Sequence, residues 1–151
     1  MGEIQTNLSD TVLTKFIQER IIEKKYQFIL NDEFDNAKYL GQPFFTRRFN
    51  IGHSIYETNM YCDFVIYHPE KWPKCLIIES KWQVSSGSVD EKFPYFALNI
   101  KERYPYKTIV LLDGEGYKRN AATWLKNQID DKLLHVFSMT EFEKWSKKGN
   151  I

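Results

Sequence analysis

Residues 75–83 read CLIIESKWQ, and this stretch constrains the fold more than any other. Cys75, Leu76, Ile77 and Ile78 form an unbroken apolar run, without the alternation that marks a strand wetted on one face. Such a run belongs to a strand buried on both faces, hence to a sheet with packing layers on both sides. Glu79 and Lys81 then follow before any turn signal. An acid and a base therefore stand two residues apart at the end of the most buried strand, where desolvating a charge is costly unless it is paired.

The rest of the chain can support such a strand. Its 151 residues suffice for one domain, 1–151, that removes about 70% of its unfolded surface from water. Apolar residues at 42% and aromatics at 16% exclude a disordered or collagen-like chain. No apolar run approaches the ~20 residues of a membrane span, and the N-terminal stretch lacks the basic and apolar regions of a signal peptide. The expectation is a cytoplasmic protein without membrane contact. Cys62 and Cys75 lie in apolar stretches with no second pair or His at metal spacing, the pattern of buried free thiols. A net charge of +1 supplies no general basic field, so any nucleic-acid binding has to come from local patches.

Helical periodicity predicts a first helix from about Asp10 to Leu30, with Leu13, Phe16, Ile17, Ile21 and later Phe28 on its apolar face and Ser9 or Asp10 as N-cap. Residues 31–43 read as a connector. Phe44 to Ile51 and Met60 to Tyr67 read as two strands of a ribbon joined through GHSIYETN. The prolines of HPEKWPK turn the chain at 68–74, which makes Cys75 to Trp82 a third strand antiparallel to the second. Pro94 reads as the first residue of a helix burying Phe96, Ala97, Ile100 and Tyr104; a capping box of Ser88 and Glu91 is the other available start. A fourth strand at 108–114, a helix from Tyr117 to Ile129, a fifth strand at 133–139 and a short helix capped by Thr140 and Glu143 complete the order. The helical connection between strands three and four makes that pair parallel with a right-handed crossover, giving a mixed α/β sheet covered on both sides.

Side chains alternate along a strand, so Glu79, Lys81 and Gln83 share one face, the first two ~6.6 Å apart. The preceding strand, MYCDFVIY, holds Asp63 among apolar neighbours, in a register that can set it across from Glu79. Two carboxylates beside a lysine at a sheet rim suit a hard cation, Mg²⁺ or Mn²⁺ in its place. Such a metal lowers the pKa of a bound water and holds a phosphate oxygen while the lysine activates or stabilises the attacking water, which is the chemistry of phosphodiester hydrolysis. The alternative, an ion pair at a solvated strand end worth ~0–1 kcal/mol, leaves Asp63 unaccounted for.

Asp63, fifteen intervening residues and Glu79-Ser80-Lys81, set on the second and third strands of a helix–strand–strand–strand–helix–strand order, resemble the PD-(D/E)XK nuclease superfamily over about residues 10–114. The whole chain is similar to the small homing endonucleases of that superfamily encoded in bacterial group I introns. The resemblance implies a restriction-endonuclease-like αβββαβ core with a C-terminal αβα extension. It implies that Asp63 and Glu79 are metal ligands, that Lys81 is the catalytic lysine, and that Gln83 supports the metal or the nucleophilic water. Cys62 stands where the family name has proline. Many members carry a further Glu on the first helix, for which Glu23, and after it Glu19, are the candidates. The implied activity is Mg²⁺-dependent, site-specific cleavage of double-stranded DNA. A structure-specific nuclease of the Holliday-junction-resolvase kind shares the core, and a catalytically silent DNA-binding module would retain the fold.

One constellation cuts one phosphodiester, so a double-strand break needs a homo-oligomer, a dimer at minimum, and a long target is compatible with a tetramer. The ribbon offers Arg47, Arg48, Asn50, His53, Tyr56 and Asn59 to a DNA groove, where Arg reads guanine and Asn adenine; an ordinary solvated hairpin is the alternative. Lys118 and Arg119 at a helix start offer a phosphate contact, against plain surface solvation. His53, His68 and His135 show no ligand spacing.

Overall fold

The computed structural model describes residues 12–82, 89–113 and 119–151. Six strands form one sheet in sequential order: β1 (Gln27–Phe28), β2 (Phe44–His53), β3 (Asn59–His68), β4 (Trp72–Trp82), β5 (Lys107–Asp113) and β6 (Leu133–Phe137). The pairs β2–β3 and β3–β4 are antiparallel, while β1–β2, β4–β5 and β5–β6 are parallel. Each parallel connection carries a helix: α2 (Phe34–Leu40), α3 (Val89–Glu102) and α4 (Arg119–Lys126). Helices α1 (Val12–Glu23) and α5 (Met139–Trp145) complete the fold. This is the mixed, restriction-endonuclease-like α/β architecture expected from the sequence, enlarged by β1 and α2. Among the described residues no helix is long and apolar enough to cross a membrane.

The unbroken apolar run behaves as its composition requires. Leu76 and Ile78 pack with Leu13, Ile17 and Ile21 of α1 and Phe142 of α5, whereas Cys75 and Ile77 pack with Phe93, Ala97 and Ile100 of α3 and Leu125 of α4. All four are buried, and both cysteines are free thiols. Strand β4 therefore divides two hydrophobic layers, and Glu79 and Lys81 continue the side that faces α3.

Several boundaries differ from the sequence reading. The first helix stops at Glu23 because Lys25 takes a left-handed φ of 70°, and Phe28 leaves the helix to pair with Phe45 in the sheet. Ser9 and Asp10 lie outside the described residues. Residues 31–43 are not a bare connector: a 3₁₀ turn leads into α2, which ends at Gly41, whose φ of 72° favours glycine. Only Phe34 of α2 is buried, so no apolar stripe announced it. The chain turns at 69–71, earlier than its second proline; Pro73 sits inside β4, at a bulge where the β3–β4 register shifts and Cys75 takes a φ of 68°. A bulge accommodates the missing N–H.

Helix α3 starts at Val89 with Pro94 inside it. Starting there puts Phe93, only 1% exposed, on the buried face with Phe96, Ala97 and Ile100. Burying a phenylalanine offsets most of the ~3 kcal/mol cost of an internal proline. The α4 helix ends at Lys126, short of Ile129, while residues 117 and 118 lie outside the described residues. The last helix is capped by Ser138 and Glu141, not Thr140 and Glu143: the Glu141 N–H donates to Ser138 Oγ (3.2 Å) and the Ser138 N–H donates to Glu141 Oε1 (2.9 Å). The same box pattern fits either pair by spacing, and the end of β6 at Phe137 selects the earlier one.

Ile78, fully buried between α1 and the neighbouring strands, tests the layering. Ile78→Ala is expected to destabilise by about 2–5 kcal/mol, read as a lower urea midpoint with an unchanged slope.

Candidate active site

The site forms where two strands part. Regular β3–β4 pairing runs to Phe64 opposite Ile78, and β4 then continues against β5, with Glu79 opposite Val110 and Lys81 opposite Leu112. Beyond Phe64 the carboxylates replace the ladder. The Asp63 N–H donates to Glu79 Oε1 (2.7 Å), and the Ser80 N–H (2.8 Å) and Ser80 hydroxyl (3.0 Å) donate to Asp63 Oδ2. Each acid is thus clamped by the backbone of the other's strand.

A change of face on β2 and β3 accompanies the fork. Phe45 and Phe64 pack on the α1 side, yet Phe49 and Cys62, which regular alternation would put on that side too, pack on the α3 side. The switch falls at Arg48, whose φ is 49°, between the pairs Arg47–Phe64 and Phe49–Cys62. The Asn31 side-chain amide donates to the Arg48 carbonyl (3.2 Å) and holds the kink. Asp63 stands beside it, and its side chain reaches across to β4.

On the α3 side, Tyr104 donates its hydroxyl to Glu79 Oε2 (2.6 Å), and the Lys81 ammonium lies 4.5 Å from the Phe96 ring centroid. Glu79 and Lys81 open into a cleft of about 410 Å³ whose walls include Asn59, Tyr61, Lys92 and Tyr95. Glu79 is only 4% exposed. Burial, reinforced by the Asp63 charge, raises its pKa from the ordinary 4.5 to about 7, against the opposing effects of Lys81, Tyr104 and the Asp63 N–H. Burial likewise pushes the neighbouring Cys62 thiol and Tyr104 phenol well above their usual ranges.

The donor set fits a hard divalent cation. Among the described residues no third His, Cys, Asp or Glu joins the pair, and Asp63 Oδ1 makes no hydrogen bond. Two adjacent carboxylates, one resisting ionisation beside the other, are relieved by an added positive charge, and Mg²⁺ accepts one or two such ligands with water or phosphate completing its shell.

Of the residues singled out from sequence, Asp63, Glu79 and Lys81 come together, while Gln83 and Lys118 lie outside the described residues. Glu23 pairs instead with Arg20 (2.9 Å), which also holds Glu143 of α5 (3.2 Å), and Glu19 lies 3.6 Å from the same guanidinium. The ribbon residues divide. Arg47 turns to the α1 side, donating to Gln18 (3.1 Å) with its guanidinium 4.9 Å from the Phe64 ring centroid. Arg48, Asn50 and His53 are exposed on β2, where Asn50 Oδ1 accepts from the Gly52 N–H. The ribbon's tip does not project freely: the Ile55 N–H donates to Asn99 Oδ1 of α3 (2.9 Å), Asn59 lines the cleft, and Tyr56 stacks on Tyr95 beside it. Arg119 is exposed at the start of α4. Sequence reasoning missed Tyr104, taken as one more apolar-face residue, and Ser80; a tyrosine on a buried stripe, needing a partner for its hydroxyl, was the available signal.

Residues 5–150 match the PD-(D/E)XK nuclease superfamily domain, and the chain belongs to that superfamily. No curated protein and no solved structure matches it.

The raised Glu79 pKa carries a stability signature. The folded state binds the Glu79 proton more tightly than the unfolded chain, so this contribution is complete below pH 4.5 and is lost as pH rises through about 7. The difference corresponds to at most roughly 3 kcal/mol. In EDTA, Glu79→Gln is expected to be more stable than the wild type at pH 8 and to lose that advantage at pH 4, by urea unfolding across the pH series. Adding Mg²⁺ at pH 8 should raise the wild-type midpoint and leave the variant's unchanged.

Proposed function

We propose that the protein is a Mg²⁺-dependent, site-specific endonuclease of double-stranded DNA, of the homing or restriction type. The observation that carries the reading is the crossed clamp, in which Asp63 and Glu79 are each fixed by the opposite strand beside Lys81 at a cleft. Membership of the superfamily supplies the reaction class, and the donor set suits the metal.

In this reading Asp63 and Glu79 hold the cation. When bound, it supplies a water of lowered pKa and a counter-charge for a phosphate oxygen. Lys81 meets the attacking water and the charge that develops on the phosphate, and the Phe96 ring fixes the ammonium over the cleft floor. Tyr104 keeps Glu79 from rotating away, and Ser80 does the same for Asp63. Low exposure around Glu79 strengthens every one of these interactions. Two copies of the chain are needed to cut both strands, and the exposed residues Arg48, Asn50, His53 and Arg119 are left to contact DNA beyond the cleft.

Digestion of long duplex and of four-way junctions, each with Mg²⁺ or EDTA, tests the proposal: defined duplex fragments only with Mg²⁺ are expected. Cutting confined to junctions would move the protein to the resolvase kind, and binding without cutting to a silent module. Asp63→Asn, Glu79→Gln and Lys81→Ala should each abolish cleavage while duplex affinity stays within about tenfold, because these groups serve the transition state more than positioning. Full Mg²⁺-dependent cutting by Lys81→Ala would remove that lysine from the mechanism.

A further inference from the structure

Tyr56 is 73% exposed, yet its orientation is fixed. Its ring stacks on Tyr95 of α3 with centroids 5.1 Å apart and planes 19° from parallel. Its N–H donates to Ser54 Oγ (3.1 Å), and the turn that carries it is closed by the Ser54 N–H on the Thr58 carbonyl (2.8 Å) and pinned to α3 through Asn99. One face of the ring is covered and the other is open to solvent. A rigid aromatic presents a stacking surface at little cost in side-chain entropy.

Its partner Tyr95 lines the cleft that holds Glu79 and Lys81, so Tyr56 stands next to that cleft. Tyr61, 61% exposed, and the exposed Asn59 line that cleft from β3, and the exposed Lys92 lines it from α3. A cation with six waters takes on the order of 180 Å³ at ~30 Å³ per water. The cleft, at about 410 Å³, holds more than twice that. Aromatic faces interleaved with a lysine, beside a site for phosphate chemistry, match the chemistry that binds unstacked bases: π faces for the base and a cation for its phosphate.

We propose that this rim takes a nucleobase unstacked from the duplex next to the scissile phosphate, with the open face of Tyr56 as its stacking surface and Lys92 against the adjoining phosphate. The inference rests on the nuclease reading above. It implies that target choice includes how readily the base step at the cut unstacks, so sequence is read partly as deformability.

The test is a cycle between the ring and the base. Cut positions are first mapped with the wild type and Mg²⁺. Duplex affinity is then measured in a Lys81→Ala background, which prevents cleavage, for Tyr56, Tyr56→Ala and Tyr56→Phe. Each is presented with intact duplex and with duplexes carrying one abasic position within three base pairs of the cut. The expected result is a loss of roughly 5- to 150-fold for Tyr56→Ala on intact duplex, the range of base–aromatic stacking, with Tyr56→Phe close to the parent. At one abasic position that loss should disappear. A loss of equal size at every position, or none on intact duplex, overturns the proposal, as does a loss explained by changed self-association in sedimentation. A wild type that neither binds nor cuts duplex overturns the nuclease reading as well, whereas cutting with an uncoupled cycle overturns the stacking role alone. Unchanged thermal melting of Tyr56→Ala confirms that the exposed substitution leaves the fold intact.

Discussion

Two hydrogen bonds that cross between β3 and β4 hold the candidate site in place. They run from the Asp63 N–H to Glu79 and from the Ser80 N–H to Asp63. Backbone donors of each strand are satisfied by a carboxylate of the other, so the strands can separate without leaving buried N–H groups unpaired. A hydrogen bond contributes about 1 kcal/mol net, so these two stand in for the ladder bonds lost at the fork. The parting of β3 from β4, the kink at Arg48 and the opening of the cleft toward α3 are consistent with one another only because these bonds close the gap.

The same geometry concentrates negative charge where water is scarce. Glu79 is buried beside Asp63, and the groups that favour its ionised form, Lys81, the Tyr104 hydroxyl and the Asp63 N–H, are outweighed by desolvation and by the second acid. The fold therefore holds two positioned acids whose negative charge Lys81 and the surrounding donors offset only in part. A divalent cation would restore the balance, which is why the pair suits one.

The layers explain why the chemistry sits at this end of the sheet. Leu76 and Ile78 are committed to α1 and α5, and Cys75 and Ile77 to α3 and α4, so β4 has no solvated face along its apolar run. The parallel crossover through α3 carries Phe96 over Lys81 and then delivers Tyr104 to Glu79 at the head of the next strand. Pairing of the β2–β3 turn with Asn99 covers the remaining side and sets Tyr56 on Tyr95. Three separate segments thus converge on one strand end.

Much of this was legible in the residues themselves. The apolar run fixed β4 as a central strand, the spacing of the prolines and of the apolar stripes gave the order of the larger elements, and Asp63 with Glu79 and Lys81 announced a site because buried acids demand a cation. The short β1 and α2 were not legible, since two residues of strand and a helix with one buried side chain carry almost no periodic signal. Pro94 misplaced the start of α3 because local propensity was overridden by the burial of Phe93. Nor could the sequence assign Glu23, which meets Arg20 and Glu143 across a helix contact. The sequence by itself determined which segments must be buried and which charges they must carry, because burial and alternation are written along the chain. Only the tertiary structure decided that Tyr104 meets Glu79, that Arg47 turns to α1 and that Tyr56 stacks on Tyr95, because contacts between residues distant in the chain leave no local pattern to read.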